Sequence, residues 1–512
     1  MADIPGGALA APPVRWGKVI DHVRCIGCHA CSTACKSENK VPLSVNRTYV
    51  KYVDVGVFPQ ARRAFQVTRC NQCEQPPCVG ICPTAAMHRR ADGIVDFDKS
   101  VCIGCKACIA ACPYDAIFIN PEDHSAEKCN FCAHRIDMGL EPACVVVCPA
   151  EAILVGDLND AGSGVAGLVG RTPTAVRRPE KGTRPKLFYR GAHQATLDPL
   201  AARRPDGGQF MWSEQGSLPH QVLAGYPAPA NGAAPAILSY DVPHRMPWDW
   251  RVSLYTWTKG IAAGAYLAPL LLVAFGALPE QSALWQWAAP LIAGVFLALT
   301  GLILVADLDH PLRFYLIFAR PQWKSWLVRG GVVITFFGLV LAGHVLASLS
   351  GNTGLQSALM WPGLPLAVLT AVYTAYLLAQ ARARDLWQNP LLVPQFVVQA
   401  LMAGAAAMLI VSPWVAPDAV PLMAAATAAA SLLHVLLVAG EIAWAHPTAH
   451  AELAARTMAS GRYAGFFWSA LVLMSAGTLA VWLGPLAAPL ALAGLLAYEH
   501  AYVQAGQSVP IA

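Results

Sequence analysis

Sixteen cysteines, all between Cys25 and Cys148, fall into four runs of four: Cys25, Cys28, Cys31, Cys35; Cys70, Cys73, Cys78, Cys82; Cys102, Cys105, Cys108, Cys112; and Cys129, Cys132, Cys144, Cys148. Three runs close with Cys-Pro, at Pro83, Pro113 and Pro149. Two-residue gaps let three thiolates of one tight loop reach three corners of a 4Fe-4S cubane, while the fourth thiolate of each run reaches a neighbouring cluster. The sixteen cysteines therefore suit four cubanes. A disulfide framework also uses an even number of cysteines, but cysteines two residues apart pair poorly, and the sequence reads as non-secretory. Structural zinc would use the Cys-x-x-Cys pairs and leave the third and fourth cysteine of each run without a role.

A second chemical signal is a set of ionisable residues in apolar surroundings. Of the 512 residues 55% are hydrophobic and only 13% charged, too apolar for an ordinary soluble protein. The apolar residues concentrate beyond about Leu254, where eight stretches approach the roughly 20 residues needed to cross about 30 Å of hydrocarbon. They cover residues 254–278, 284–305, 327–349, 362–379, 391–412, 420–444, 464–483 and 486–503. Lys259, Asp307, His434, Glu441, Glu499 and His500 fall toward the cysteine-domain end of these spans, and His344 toward the other end. Ionisable groups inside a membrane are costly and mark function by default. A quinone headgroup needs hydrogen-bond donors and proton carriers beside an electron source, and an apolar pocket for its tail. Lys259, Asp307, His310, Arg313 and Glu441 are the candidates to contact it. For each one alone, snorkelling or a salt bridge to a loop competes with that role, and Asp307 with Arg313 could simply fix their own loop. A b-type haem would need two histidines at one depth, which His344 and His434 do not offer, so no haem is expected.

The elements that position these groups form three parts: a cysteine domain over residues 1–155; a Pro-, Gly-, Ala- and Arg-rich extension over 156–247 that packs on it; and an all-α polytopic membrane domain over 248–512. Residues 186–189 and 236–240 read as isolated strands in the extension. Trp248, Trp250, Tyr255 and Trp257 suit an aromatic belt at a membrane interface. With eight spans, the loop cations Arg313, Arg320, Lys324, Arg329, Arg382, Arg384, Arg456 and Arg462 all lie on the cysteine-domain face, which the positive-inside rule assigns to the cytoplasm. Met1 to Ile20 has neither an apolar leader nor a twin-arginine pair, which points the same way. The expected location is the bacterial inner membrane, with the cysteine domain facing the cytoplasm.

Two family resemblances follow. The first 190 residues resemble the four-cluster electron-transfer subunit of the DMSO reductase superfamily of molybdenum and tungsten enzymes, through Cys25-Ile-Gly-Cys-His-Ala-Cys31, Cys70-Asn-Gln-Cys-Glu-Gln-Pro-Pro-Cys78, Asp92-Gly-Ile-Val95, Cys102-Ile-Gly-Cys105, Cys112-Pro-Tyr114 and Lys128-Cys-Asn-Phe-Cys132. From about Trp248 the sequence resembles the NrfD-like, polysulfide-reductase type of quinone-interacting membrane subunit, through Trp257-Thr-Lys-Gly260, Asp307-Leu-Asp-His-Pro-Leu-Arg-Phe314, Ser325-Trp326 and Ala505-Gly-Gln-Ser-Val-Pro510. The protein thus looks like a fusion of two subunits. The resemblance implies an α+β ferredoxin-like fold of two bis-cluster units, and an exchange of last cysteines between runs one and four and between runs two and three. One cluster is then expected on Cys25, Cys28, Cys31 and Cys148, a second on Cys129, Cys132, Cys144 and Cys35, a third on Cys70, Cys73, Cys78 and Cys112, and the fourth on Cys102, Cys105, Cys108 and Cys82. The first is expected near a catalytic partner and the last near the membrane, with Gly27 and Gly104 letting backbone approach cluster sulfurs.

Together these readings describe an electron-transfer and membrane-anchor subunit, working between a separate molybdenum or tungsten pterin subunit and the quinone pool of the lipid bilayer. The chemistry on the partner's substrate is expected to be the partner's. No nucleic-acid role is expected. The alternative is a redox-driven ion-translocating module, which would need a polar path across the whole bilayer.

Overall fold

A computed structural model describes residues 14–203 and 236–512. The stretch 204–235 of the extension, and residues 1–13 of the segment read as lacking a leader, lie outside the described residues.

Each cysteine loop bends through left-handed residues that point it inward. Gly27, His29, Gly104, Lys106, Gln72, Phe131 and Cys132 all have positive φ, and short helices then carry later cysteines of the runs: Ala30–Glu38, Pro77–Ile81, Ala107–Ala111 and Ala143–Val146. Two small hairpins, Met87–Arg89 with Val95–Phe97 and Ile117–Ile119 with Ala126–Lys128, brace the inner pair of runs. The Asp92-Gly93 turn of the first hairpin uses the positive φ of Gly93.

Two larger sheets close the outside, and both recruit the extension. Trp16–Asp21 pairs antiparallel with Ile153–Asp157 and parallel with Leu187–Arg190. Thr48–Val55 lies between Arg62–Arg69 and Ala236–Tyr240. The extension strands are therefore paired and not isolated: each covers an otherwise open edge of a cluster-domain strand, which satisfies its backbone groups.

The membrane half contains seven helices long and apolar enough to cross a bilayer: Trp250–Ala274, Leu284–Ala306, Trp326–Leu349, Thr353–Gln380, Leu392–Val415, Pro417–Ala443 and Ala480–Gln507. The shorter Ala464–Thr478 stands between the last two and accounts for the eighth apolar stretch. The first and fifth spans cross at bare backbone. A Cβ on Gly264 would lie 1.7 Å from the Ala400 carbonyl oxygen, and one on Gly404 1.8 Å from the Gly264 carbonyl carbon. Small residues at such a crossing let dispersion contacts replace the hydrophobic drive that lipid removes. The C-terminal residues 508–512 are buried: Arg384 donates to the Gln507 and Val509 carbonyls at 3.0 and 3.3 Å, and Arg177 of the extension to Ile511 at 3.3 Å.

Candidate functional site: a thiol ladder above a buried polar group

None of the sixteen cysteines is in a disulfide, and they gather close to one another in space. Cys25 lies near Cys31, Cys148 and Cys28; Cys35 near Cys129, Cys144 and Cys132; Cys73 and Cys78 near Cys70 and Cys112; Cys105 and Cys108 near Cys82 and Cys102. Neighbours also cross between the expected sets: Cys31 faces Cys144, Cys70 faces Cys129 and Cys108 faces Cys78. Among the described residues no three His, Cys, Asp or Glu side chains converge closely enough for one metal ion.

The electrostatics fit a buried anion. Burial and the neighbouring Cys129 and Cys144 push the Cys35 thiol up to about 12. Burial acts the same way on Cys144, but Arg69 and Lys18 outweigh it and hold that thiol below its ordinary value. Arg69 is 1% exposed, donates from Nη1 to Cys144 Sγ at 3.0 Å, and leaves Nε and Nη2 without partners. A buried guanidinium with no carboxylate beside it would be costly unless an anion occupied the thiol cage, and a thiolate-ligated iron-sulfur cluster is such an anion. The Met87, Ala126 and Ala152 amides donate to Cys82, Cys102 and Cys148 Sγ at 3.4, 3.5 and 3.2 Å, as backbone that tunes cluster sulfurs does.

The third run is seated on the membrane domain. Arg313, just beyond the second span, donates from Nη1 to the Lys99 and Cys102 carbonyls, both at 2.9 Å. The His310 amide donates to Ile103 at 3.2 Å, the Trp248 indole to Cys105 at 3.2 Å, and Lys106 pairs with Asp309 at 3.0 Å. The closest neighbour that a Cβ on Gly104 would meet is the Asp309 Cβ, at 2.5 Å. Glycine here admits the membrane loop as well as the cysteine loop's own turn.

Below this seam the expected quinone residues separate. Lys259 is fully buried and donates to the Ala371 carbonyl at 2.7 Å and to Thr374 Oγ1 at 2.8 Å, with the Tyr373 and Phe396 rings at 4.8 and 4.7 Å. Glu499 of the last span interacts with that charge and accepts from Thr256 Oγ1 at 2.6 Å. Tyr255 lies among Tyr373, Asp307 and Glu499. Asp307 caps the second span, and the cation nearest its carboxylate is Arg251 at 3.9 Å, not Arg313. His310 has a buried ring nitrogen, Nε2, with no partner. Glu441 belongs to a separate group, held by Asn389 at 3.1 Å and Tyr498 at 3.2 Å, with Gln395 donating to Tyr498 at 2.6 Å. Asp307 and Lys259 are therefore linked only indirectly, through Tyr255, which faces Asp307, Tyr373 and Glu499; Arg313 is committed to the cysteine loop, and Glu441 stands apart. Tyr373 and Thr374 escape sequence reasoning, since aromatic and hydroxyl residues in a span carry no periodic mark of function, and Tyr255, read as part of an interfacial aromatic belt, is buried instead. His344 is held in the far half by Tyr266, whose hydroxyl is 3.1 Å from Nδ1, and by the Trp285 ring 4.5 Å away.

Residues 240–497, just over half of the sequence, match the family model described as polysulphide reductase, NrfD. The protein belongs to that family. Ahead of its NrfD region, residues 61–158 match the 4Fe-4S dicluster domain, so the protein joins an iron-sulfur electron-transfer domain to a multi-pass NrfD membrane anchor. The cluster half is similar to a tetrathionate reductase subunit of Salmonella typhimurium, 41% identical over 40% of this protein and 82% of that one. It is also similar to a component of the polysulfide reductase of Wolinella succinogenes, 44% identical over 34% of this protein and 93% of the relative. A third relative is the arsenate respiratory reductase iron-sulfur subunit of a Shewanella species, 35% identical over 34% of this protein and 96% of that subunit.

Proposed function

We propose that this NrfD-family protein conducts electrons between a separate pterin-molybdenum or pterin-tungsten catalytic subunit and a quinone bound at the cluster-facing end of its membrane domain. The four expected cysteine sets would hold four 4Fe-4S clusters, which supply one-electron transfer when bound. The observation that carries this reading is the seam between Cys102–Lys106 and the loop after the second span: Arg313, His310, Asp309 and Trp248 fasten the third cysteine run to the end of the span that Asp307 caps. Lys259 and Tyr255 can donate to a quinone oxygen, Asp307 can pass protons from the loop side, and packed spans exclude bulk water. The relatives are named as parts of multi-component reductases, one of them as an iron-sulfur subunit, which supports a catalytic partner.

Asp307→Asn and Lys259→Gln should preserve the iron-sulfur spectra and dye-linked turnover of the complex while lowering quinone-linked turnover at least tenfold, roughly 1.4 kcal/mol in transition-state stabilisation. Unchanged quinone kinetics in both normally assembled variants would move the site elsewhere.

We further propose the bacterial inner membrane, with the cluster domain in the cytoplasm. Arg313, Arg329 and Arg384 among the eight loop cations are spent on carbonyl contacts, so the charge bias rests on the other five. Because the C-terminal tail is buried, a topology reporter belongs at Gly351 in the opposite loop; it should read as external, and a cytoplasmic reading would reverse the orientation.

A further inference from the structure

A cavity of about 460 Å³ opens where the cluster domain meets the ends of the third and fourth spans. Its upper wall is the short helix Pro77–Ile81, which carries Cys78, together with Glu74 and Pro76; its floor is Gln322, Lys324, Gln380 and Arg382. The floor is rigid: Gln380 accepts from the Trp326 amide at 2.9 Å and donates to the Lys324 carbonyl at 2.7 Å, which clamps the two span ends together. The walls are joined by the Ser325 hydroxyl donating to Ile81 at 2.7 Å and the Gln322 amide donating to Pro83 at 2.9 Å.

The charge in this cavity is unbalanced. Arg89, Lys324 and Arg382 all line it and are exposed, and among the described residues none has a carboxylate partner. The one acid, Glu74, is already engaged by Arg15. The depth is that of a membrane interface: Trp323 is 58% exposed beside the cavity, and Trp326 stacks on Tyr376 with ring centroids 4.3 Å apart. Cations gathered at the end of membrane helices, under an amphipathic aromatic fringe, match an anionic phospholipid headgroup.

We propose that this cavity binds the phosphate of an anionic phospholipid, with Lys324 and Arg382 from the membrane side and Arg89 from the cluster domain around it. The lipid then joins the two halves at the second cysteine run, on a side of the seam where no described ion pair spans Pro77–Ile81 and the membrane loops. A neutral headgroup would leave the three cations uncompensated. A free phosphate would bring the charge but no acyl chains toward the apolar span ends.

The test uses the full-length protein in phosphatidylcholine nanodiscs with and without phosphatidylglycerol, with retained lipid counted by native mass spectrometry during stepwise delipidation. Phosphatidylglycerol should be retained by the wild type and bound about 30-fold more weakly by Lys324→Gln/Arg382→Gln, at about fivefold per surface cation. Lys324→Arg should keep the lipid. If the double variant assembles poorly, Arg382→Gln alone should show the fivefold loss. Equal retention by wild type and variants overturns the proposal, and so does inorganic phosphate binding as tightly as phosphatidylglycerol, which would make this a soluble-anion site.

Discussion

Replacing Arg69 by methionine removes the buried guanidinium that donates to Cys144 Sγ and keeps a side chain of similar reach. The guanidinium is buried and faces Cys144, Cys31 and Cys129, so it stabilises whichever redox state carries the extra electron. Two unit charges about 5 Å apart at an effective dielectric constant of about 20 interact by about 3 kcal/mol, of the order of 0.1 V for a one-electron couple. Arg69→Met should therefore lower the midpoint potential of one cluster by about 100 mV, because the added electron loses its compensating charge. Arg69→Lys should recover most of it. Burial makes the shift insensitive to ionic strength. The assay is a potentiometric titration followed by electron paramagnetic resonance on protein with its full iron content. Midpoints that all stay within about 20 mV of the wild type would refute the assignment of Arg69 as the charge partner of a cluster.

Three further outcomes follow from the contacts. Arg313→Met deletes two hydrogen bonds from a charged donor to the third cysteine run, about 1.5–3 kcal/mol each; quinone-linked turnover should fall while partner-side reduction of the clusters is retained, and equal loss at both ends would reject the seam as the electron exit. His244 is buried between Asp115 and Asp241, the latter 2.9 Å from Nε2 and itself paired with Lys51 at 3.2 Å, and Arg384 faces the same group. Burial lowers its pKa, but Asp241 and Asp115 outweigh burial and raise it to about 8. The stabilisation, about 2 kcal/mol, is then complete below about pH 6.5 and lost as pH rises through about 8. Thermal inactivation should come at lower temperature at pH 9 than at pH 6, and His244→Gln should flatten that difference; an unchanged pH profile in the variant would count against the triad. Gly404→Leu should prevent assembly of the membrane domain, since its Cβ has no room against Gly264, and a normally assembled variant by size-exclusion chromatography would contradict the crossing.

The parts of this architecture that could be read from the sequence are those whose physics is local. A tight thiolate loop needs its cysteines within a few residues, and a span needs its apolar residues in one run, so both show in the linear order. What escapes is pairing across distance. Ala236–Tyr240 completes a sheet with Thr48–Val55, and no short-range pattern marks that partnership. Arg313 and Arg384 read as topological charges, yet each is consumed by backbone carbonyls. Asp307 and Arg313 share a loop but turn to different partners. Gly104 is needed for a positive φ and also for the approach of Asp309, and only the first can be read locally. Lys259 was legible because a cation in a span is expensive, whereas Tyr373 and Thr374 look like ordinary span residues and Tyr255 like an interfacial aromatic.

The most direct test of the central claim is photo-crosslinking of the intact complex with an azido-quinone, followed by peptide mapping. The structure offers a competing location at the opposite face, a cavity of about 800 Å³ between the loops containing Pro279 and Pro417. Label on peptides containing Tyr255, Lys259 or Asp307, lost when excess unlabelled quinone is present, is the predicted result. Competable label confined to the Pro279 and Pro417 loops would contradict a quinone site beneath the third cysteine run.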